Sequence, residues 1–275
     1  MKRMIKILAL LLAVVLAVSF CACQNTNTPE TKSETKSGQP TTAPTKAPTQ
    51  PASTKAPGEK PYTVKPLKEA AVGDVVVFGT YEMDGDTANG NEPIEWLVLD
   101  KNSDSLLVIS LYALASGVYT EGEDTDVSWE TSSVRTWLNG EFFNAAFSTE
   151  EQAVVKTTTV AAEKNPRYEK LSAGNDTQDK LFFLSLQEAE QYFTNNASRA
   201  CSPTKAVLAE GGFSLSVKPW YSDLNYACMW WLRNPGMDTT KAAYVDKSGS
   251  FNYNGNRANY NSKISYRPAM WLSVN

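Results

Sequence analysis

Carboxylates are the residues best suited to chemistry in this chain, because it contains no histidine. That absence excludes Ser-His-Asp and Cys-His catalysis and every metal site that uses histidine. Paired carboxylates of the kind found in glycoside hydrolases remain open, with Glu95, Glu130 and Glu141 as candidates. Nothing in their spacing shows that two of them converge. We therefore expect no enzyme, and a carboxylate-dependent hydrolase is the least favoured alternative.

Two acidic segments offer the oxygen ligands that calcium prefers. One is "DGDTANGNE", with the candidate ligands Asp84, Asp86, Asn89 and Glu92; the other is "NDTQD", with Asp176 and Asp179. The first departs by one residue from the spacing of an EF-hand loop. Polar connecting loops explain both segments, and we expect no cofactor.

The segment "FNYNGNRANYNSKISY" (251–266) is rich in the residue types that binding loops use. Tyrosine and asparagine offer flat contact area and adaptable hydrogen bonds at low entropic cost. The predicted ligand contacts here are Tyr253, Asn254, Asn256, Arg257, Asn259 and Tyr260. The loop "KPWYSDLNYA" (218–227) is predicted to form an adjacent wall through Trp220, Tyr221 and Tyr226. The alternative is a polar hairpin, since Asn-Gly and repeated asparagines also mark turns.

The run "CMWWLR" (228–233) predicts a strand with large side chains on both faces, which is typical of a central, covered strand. We expect four of the large side chains in this half of the chain to be structural: Trp230, Trp231, Arg233 and Arg267. A buried arginine needs a carboxylate or several carbonyl groups. Glu95 and Asp246 are the predicted partners of Arg233.

Cys201 and Cys228 are the only cysteines beyond residue 23. In an exported protein such a pair predicts a disulfide. Closing a loop of about 26 residues would stabilise the fold by roughly 3–3.5 kcal/mol in the chain-entropy model. Two buried thiols are the alternative.

Residues 1–23 predict an export signal, with a basic start and an apolar run from Ile7 to Phe20. Their "FCAC" ending resembles bacterial lipoprotein signals, which implies lipidation of Cys23 rather than Cys21. An ordinary cleaved signal or an anchor helix is the alternative. Residues 24–65 are rich in Thr, Pro, Lys and Ser and predict a disordered linker. Residues 66–275 then form one globular domain.

Charge divides along the chain. Residues 66–275 carry 17 of the 26 Lys and Arg and 27 of the 30 Asp and Glu, a net charge of −10. Such an acidic domain is a poor partner for nucleic acid or an anionic membrane. We expect membrane contact only through the lipid anchor.

The elements that must position these residues are short. Strands are predicted at 72–81 and in a hairpin over 94–114. Helices are predicted after Ser132 and after two capping boxes, Ser148 with Glu151 and Ser185 with Glu188. Long loops cover 115–128, 163–179 and 202–227, and long loops in a compact domain often carry function. The pattern predicts an α+β fold with short, mostly antiparallel strands and two main helices.

Several pieces of the chain resemble a large family of bacterial surface proteins without an assigned function. They are "VGDVVVFGTYEMDGDTANGNEPIEWLVLD", "TSSVRTWLNGEFFNAAFSTEEQ", "WWLRNPG", "AAYVDKSGSFNYN" and "YRPAMWLSV". The "WWLR-x-PG … RPA" ending is similar to C-type-lectin-like domains of the formylglycine-generating-enzyme type, and to ligand-binding proteins of diversity-generating retroelements. The resemblance implies a C-type-lectin-like fold, and the N- and C-terminal strands could pair in it. Cys201 and Cys228 do not match the closely spaced cysteines of those enzymes, so their oxidative chemistry is not carried over.

Together these features predict a lipid-anchored, exported protein of the cell surface. Its C-terminal loops would recognise an extracellular glycan or protein by aromatic stacking and polar contacts. An envelope structural protein without a discrete ligand is the main alternative.

Overall fold

The computed structural model describes residues 60–122, 126–211, 213–214, 218–260 and 263–275. All of them belong to one compact unit. The predictions for Cys21, Cys23 and most of the linker lie outside these residues. Within the described part of the chain, no helix is both long and apolar enough to cross a membrane.

The described chain alternates short strands with short helices. The strands are β1 (Val75–Tyr81), β2 (Glu92–Lys101), β3 (Ser105–Ser110), β4 (Ala115–Gly117), β5 (Val155–Lys156), β6 (Thr158–Val160), β7 (Thr177–Asp179), β8 (Phe213–Ser214), β9 (Ala227–Cys228), β10 (Trp230–Pro235), β11 (Lys241–Val245), β12 (Phe251–Arg257), β13 (Ile264–Tyr266) and β14 (Ala269–Ser273). The helices are α1 (Ser133–Trp137), α2 (Phe143–Ala146), α3 (Thr149–Val154), α4 (Leu186–Tyr192), α5 (Asn196–Arg199) and α6 (Lys205–Glu210), with a 3₁₀ turn at Leu67–Glu69 and a π-helical turn at Leu138–Phe142.

The first five-stranded sheet has the order β1-β2-β3-β14-β5, and all its pairs are antiparallel. The predicted hairpin is β2–β3, whose turn is held by Asn102: its Oδ1 accepts from the amides of Asp104 and Ser105 at 3.1 and 2.8 Å. The expected pairing of the N- and C-terminal strands is wrong. β1 lies at the sheet edge, and β14 pairs with β3 and β5, because the β2–β3 hairpin lies between β1 and β14.

The second sheet has the order β12-β11-β10-β13-β4. Its β10–β13 pair is parallel, whereas the other pairs in this sheet are antiparallel. All six residues of β10 are buried, which confirms the predicted core strand. Both indole nitrogens have partners: Trp230 Nε1 donates to Arg199 O at 3.2 Å and Trp231 Nε1 donates to Gly117 O at 3.0 Å. The two tryptophans therefore support the fold and offer no surface to a ligand.

The helices begin where side-chain caps satisfy their first free amides. Ser132 caps α1, and both predicted capping boxes are present, at Ser148–Glu151 and Ser185–Glu188. α1, the π-helical turn and α2 follow one another without a break, so the two predicted main helices correspond to 133–146 and 186–192. The fold is mixed α+β with mostly antiparallel sheets and few short helices.

Arg233 is buried as predicted, but its predicted partners are wrong. Its guanidinium forms two hydrogen bonds with Glu188, at Nη2–Oε1 2.9 Å and between Nη1 and Oε2, and a weaker pair with Glu163 at 3.4 Å. It also donates to the carbonyls of Ala161 and Phe183 at 3.1 Å each. Glu95 and Asp246 have other partners, because β10 directs Arg233 toward the start of α4.

Arg267 is also structural. The side chain is fully buried, and its Nε and Nη1 donate to the carbonyls of Ser110 and Arg199 at 3.0 and 3.2 Å. Its guanidinium carbon lies 5.1 Å from the ring centre of Trp230 and 5.3 Å from that of Phe193. Carbonyl oxygens and aromatic faces thus stabilise this charge in the core.

The predicted disulfide is not formed. Cys201 and Cys228 are free, buried thiols on adjacent backbone segments, joined by an antiparallel bridge in which Cys228 N donates to Cys201 O at 2.9 Å. The Cys228 thiol also donates to that carbonyl at 3.3 Å. Burial raises the pKa of the Cys228 thiol well above its ordinary range. The two cysteines are therefore neighbours, as the disulfide prediction required, but they match the alternative of two buried thiols.

Candidate ligand-binding site

A cavity of about 660 Å³ lies on the outer side of the β1–β2 pair, and we call it the Glu95 pocket. Its wall residues come from distant parts of the chain: Lys60, Val64, Val77, Met83, Asp84, Glu92, Pro93, Glu95, Tyr112, Leu114, Pro203, Thr204, Lys205, Ser222, Asp223 and Leu224. Most of the lining surface is apolar. An apolar hollow with a few converging polar groups is the usual form of a ligand site.

Glu95 is the most buried of the four carboxylates that line the pocket. It lies on β2 opposite Val77 of β1, and its side chain is only 9% exposed. Its Oε1 is paired with the ammonium group of Lys60, and its Oε2 accepts from Tyr62 OH at 2.9 Å. A buried carboxylate needs such partners, because burial without them costs several kcal/mol.

Aromatic rings pack beside Glu95. Tyr62 meets Trp220 edge-on at a centroid distance of 6.0 Å, and Tyr112 meets Tyr221 edge-on at 5.2 Å. Burial raises the pKa of Tyr112 to about 12, and it raises the pKa of Tyr62 further. Both phenols therefore stay protonated at neutral pH, so that Tyr62 acts as a hydrogen-bond donor to Glu95.

The segment after Cys201 closes one side of the pocket. Its backbone is hydrogen-bonded to Ala113 and to the β1–β2 loop. Ala113 N donates to Ser202 O at 3.0 Å, and Thr204 N donates to Ala113 O at 3.1 Å. Ala206 N donates to Met83 O at 3.0 Å, which attaches the start of α6 to the β1–β2 loop. The pocket wall is thus held by backbone bonds between distant segments.

The rim of the pocket includes part of the predicted calcium segment. Carboxylate oxygens of Glu82, Asp84 and Glu92 lie within 4.8 Å of one another. Glu92 Oε2 accepts from the amides of Met83 and Asp84 at 2.7 and 3.2 Å. Asp84 accepts from Asp86 N and from the side chain of Asn89, and these bonds lower the Asp84 pKa.

This arrangement changes the predicted ligand set. Glu82, which sequence reasoning missed, joins Asp84 and Glu92, whereas Asn89 donates through Nδ2 to Asp84 Oδ2 at 3.1 Å. Calcium binding at this loop stays a prediction.

The second predicted calcium segment is structural. Asp179 is buried and bonded to Arg135 Nε at 2.8 Å and to Trp129 Nε1 at 2.9 Å. Asp176 instead accepts from Ala162 N at 2.8 Å. The two carboxylates have separate protein partners, and calcium binding at this segment stays a prediction.

The three candidate catalytic carboxylates have different neighbours. Glu95 lies in the Glu95 pocket, and Glu130 accepts three bonds from Asn175, which lower the Glu130 pKa. Glu141 lines a second cavity of about 770 Å³ together with Glu121 and Trp137. Among the described residues, these contacts do not join any two of Glu95, Glu130 and Glu141, so they add no support to the hydrolase alternative.

The Asn- and Tyr-rich segment is an edge strand rather than a free loop. Its residues 251–257 form β12, which pairs with β11, and several side chains serve the fold. Asn254 Oδ1 accepts from Tyr168 OH, Asn256 Oδ1 accepts from Arg257 N at 2.8 Å, and Asn259 Nδ2 donates to Gly122 O at 2.9 Å. The polar-hairpin alternative thus accounts for much of this segment.

Two tyrosines of this segment keep accessible surface. Tyr253 is partly buried under the guanidinium of Arg167, 3.9 Å from its ring centre, and Tyr260 is 62% exposed. A ligand contact at Tyr253, Tyr260 or Arg257 stays a prediction.

The predicted second wall separates into exposed and buried residues. Trp220 is 38% exposed, whereas Tyr221 is 2% exposed and its hydroxyl accepts from Ser202 N at 3.0 Å. Tyr221 as a ligand contact is therefore wrong, because packing on Tyr112 and Trp220 covers its ring. Tyr226 is partly buried, and its carbonyl accepts from Ser202 Oγ at 2.9 Å.

Trp220 and Tyr253 have different aromatic neighbours, and no ring contact links the two predicted walls among the described residues. Trp220 contacts Tyr62 and Tyr221, whereas Tyr253 contacts Phe251 and Arg167. The loop after Trp220 instead borders the Glu95 pocket, through residues 222–224.

Sequence reasoning missed the contribution of residues 60–65, which it assigned to the linker. Lys60 and Tyr62 contact Glu95, Val64 forms a bridge with Val75, and Lys65 N donates to Val75 O at 2.8 Å. The domain boundary at residue 66 is therefore several residues too late. A signal was present, because Tyr62 is the one aromatic residue in the Thr- and Pro-rich stretch 24–65.

Comparison with known proteins gives one family. Residues 96–274, well over half of the chain, match the family model described as "Domain of unknown function (DUF6273)". No curated protein and no solved structure matches the chain.

Proposed function

The chain belongs to the DUF6273 family, and we propose that it is a binding protein whose ligand occupies the Glu95 pocket. The observation that carries this proposal is a nearly buried carboxylate in the lining of a large apolar hollow. Pockets of this volume and lining bury most of a small ligand or of one anchoring side chain.

The shape and position of the pocket support binding. Its walls come from segments that are attached to one another by backbone bonds, so they form a largely preorganised surface. Preorganised walls favour affinity, because less freedom is lost when the ligand binds. Part of these walls comes from residues 203–205 and 222–224, near the two ends of the predicted long loop 202–227. Function often resides on loops held by a scaffold.

The hydrogen bonds of the pocket favour binding over catalysis. Glu92 is committed to the amides of Met83 and Asp84, and Asp84 accepts from Asp86 and Asn89. Glu95 is held by Lys60 and Tyr62. A general acid or base would need a proton-transfer position free to face substrate. These carboxylates are instead fixed in place by their hydrogen bonds, which suits them to bind and orient a charged ligand group.

The ligand class that fits best is a protein or peptide. The exposed lining surface is mostly apolar, which suits the side chains of a peptide better than the hydroxyl groups of a sugar ring. A glycan, the other ligand class expected from the sequence, remains an outcome of the test below.

The cellular setting and the finer fold are part of the same proposal. The lipoprotein-like "FCAC" ending and the Thr- and Pro-rich linker would present the domain at the outer cell surface through Cys23. The long loops and the "WWLR … RPA" ending support a C-type-lectin-like fold. A lipid anchor and a linker of 42 residues or fewer would leave the Glu95 pocket accessible to extracellular partners.

A screen of the full-length chain, kept in detergent because of its apolar segment 7–20, tests the proposal. Arrays of random short peptides and of glycans are compared between the wild type and Val77→Trp. Val77 is 40% exposed and lines the pocket, so a tryptophan there fills the cavity without removing core packing. We expect peptide binding that Val77→Trp weakens by about tenfold or more.

Val72→Trp is the matched control, because Val72 is 60% exposed and lies outside the pocket lining. It should bind as the wild type does. Binding that survives Val77→Trp but is lost in Tyr253→Ala or Tyr260→Ala would place the site on the Asn- and Tyr-rich segment instead. An absence of any ligand on either array would favour an envelope structural protein and reject the proposal.

A further inference from the structure

We infer that the Glu95 pocket recognises the primary ammonium group of a lysine side chain in a peptide or protein ligand, and that Lys60 of this chain occupies the same position in the structure. This inference rests on the proposed function and names the chemistry of its ligand. The ion pair between Lys60 and the nearly buried Glu95 carries it.

The internal pair already shows the chemistry of recognition. The Lys60 ammonium contacts Oε1 of Glu95, a carboxylate with only 9% of its side chain exposed, while 57% of the Lys60 side chain remains exposed. The charged end contacts Glu95, and more than half of the Lys60 side chain stays exposed. An external lysine entering through the pocket would bring its own alkyl chain against walls such as Val77 and Leu114. It would bury apolar surface that Lys60 leaves in solvent.

The state of the second carboxylate oxygen favours lysine over arginine. Tyr62 OH donates to Oε2 of Glu95 at 2.9 Å, and burial raises the Tyr62 pKa so that this donor is kept. Oε1, the oxygen that does not accept from Tyr62, is the one that contacts a cation in the structure. An ammonium group is satisfied by that geometry, whereas a guanidinium binds best when both oxygens accept in parallel.

The charge of the surroundings favours a cation. The pocket lining contains four carboxylates, Asp84, Glu92, Glu95 and Asp223, and two lysines, Lys60 and Lys205. Displacing Lys60 into water would make the pocket more negative by one charge. A ligand ammonium group would replace the lost positive charge. The acidic balance of residues 66–275 acts in the same direction at longer range.

Lys60 is therefore an internal competitor. It is tethered two residues from Tyr62, so its effective concentration at Glu95 is high, on the order of millimolar or more. Exchanging one ammonium group for another keeps Glu95 paired, so it avoids the cost of an unpaired buried carboxylate. An external lysine can replace Lys60, with an apparent affinity lowered by the competition.

Isothermal titration calorimetry on the full-length chain tests the inference with three probes: Nα-acetyl-lysine amide, Nα-acetyl-norleucine amide and Nα-acetyl-arginine amide. We expect the lysine probe to bind Lys60→Gln about tenfold more tightly than the wild type, because the competitor is removed. The norleucine and arginine probes should bind Lys60→Gln at least about tenfold more weakly than the lysine probe. Adding Glu95→Gln to Lys60→Gln should remove that preference.

Lys68→Gln is the matched control, since Lys68 is an exposed lysine eight positions along the chain and outside the pocket lining. It should leave lysine affinity at the wild-type value. If Glu95→Gln lowers the melting temperature sharply, the double variant does not report on binding. The inference is then judged from the relative affinities of the three probes for Lys60→Gln.

Equal binding of lysine and norleucine, or no lysine binding to Lys60→Gln, overturns the inference. If the arrays still yield peptides that Val77→Trp blocks, the proposed function stands and only the lysine preference fails. If they yield no ligand, the proposed function fails as well.

Discussion

For Arg233, the sequence predicts burial correctly and the ion-pair partners wrongly. Its place in a buried, alternating strand indicates burial, and it is 2% exposed. The partner Glu163 comes from the loop before β7 and Glu188 from the start of α4, and no local pattern connects either segment to β10. The burial of a residue can be predicted from its neighbours in sequence. Its ion-pair partner depends on which distant segments the tertiary fold brings next to it.

Replacing Arg233 by lysine tests the value of this network at the residue scale. One ammonium cannot serve two carboxylates and two carbonyls, so buried acceptors lose their donors. We expect Arg233→Lys to lower the free energy of unfolding by about 2–3 kcal/mol, measured by urea denaturation. Glu163→Gln is the control and should cost less than about 1 kcal/mol, because Glu163 is the weaker, more exposed partner. A loss for Arg233→Lys as small as the control's would contradict this reading.

At the scale of elements, local chemistry predicts the caps and the central strand well. The capping boxes at Ser148 and Ser185 and the buried strand β10 are confirmed, because each depends on residues within one turn or one strand. The segment 251–257 is different. Its asparagines suit a binding loop or an edge strand equally, and the pairing with β11 decides between them.

The turn between β11 and β12 gives the element-scale prediction. Gly249 has φ +80°, and a Cβ there would lie 1.8 Å from the carbonyl oxygen of Asn196 in α5. Gly249→Ala combines an unfavourable left-handed backbone with a backbone clash, so we expect a loss of more than about 3 kcal/mol.

Gly73→Ala separates the two effects, because Gly73 has φ +90° but open space around its Cα. It should cost roughly 1–2 kcal/mol, the backbone contribution alone. Thermal or urea unfolding measures both variants. Equal losses would mean that α5 and the turn move apart without cost.

At the scale of the whole molecule, the fold class follows from the sequence, but the site does not. The Glu95 pocket joins residues 60–64, 77–95, 112–114, 203–205 and 222–224, and its composition is visible only when those segments meet. Aromatic and asparagine content directs attention to 251–260. The Glu95 pocket is built instead around one nearly buried glutamate and the end of an apparently featureless linker.

The acidic balance of residues 66–275 leads to a prediction about rates. If the ligand presents a lysine, long-range attraction speeds its approach, and salt screens that attraction. We expect association of a lysine-rich peptide with Lys60→Gln to slow by about tenfold between about 0.02 and 0.5 M ionic strength. Surface plasmon resonance measures it, with the dissociation rate as the internal control, since it should change much less. An association rate independent of salt would count against electrostatic guidance.

The position of β14 has a consequence for how the molecule is made. This strand lies between β3 and β5 inside the first sheet, yet it follows β3 by about 160 residues of chain. During vectorial synthesis or export, β3 must therefore wait with one hydrogen-bonding edge open until residues 269–273 have emerged. An open edge of the apolar strand "SLLVIS" is a template for pairing with other chains. The nascent protein is thus most prone to self-association just before its last strand arrives, and a chain cut short before residue 269 would retain that exposed edge.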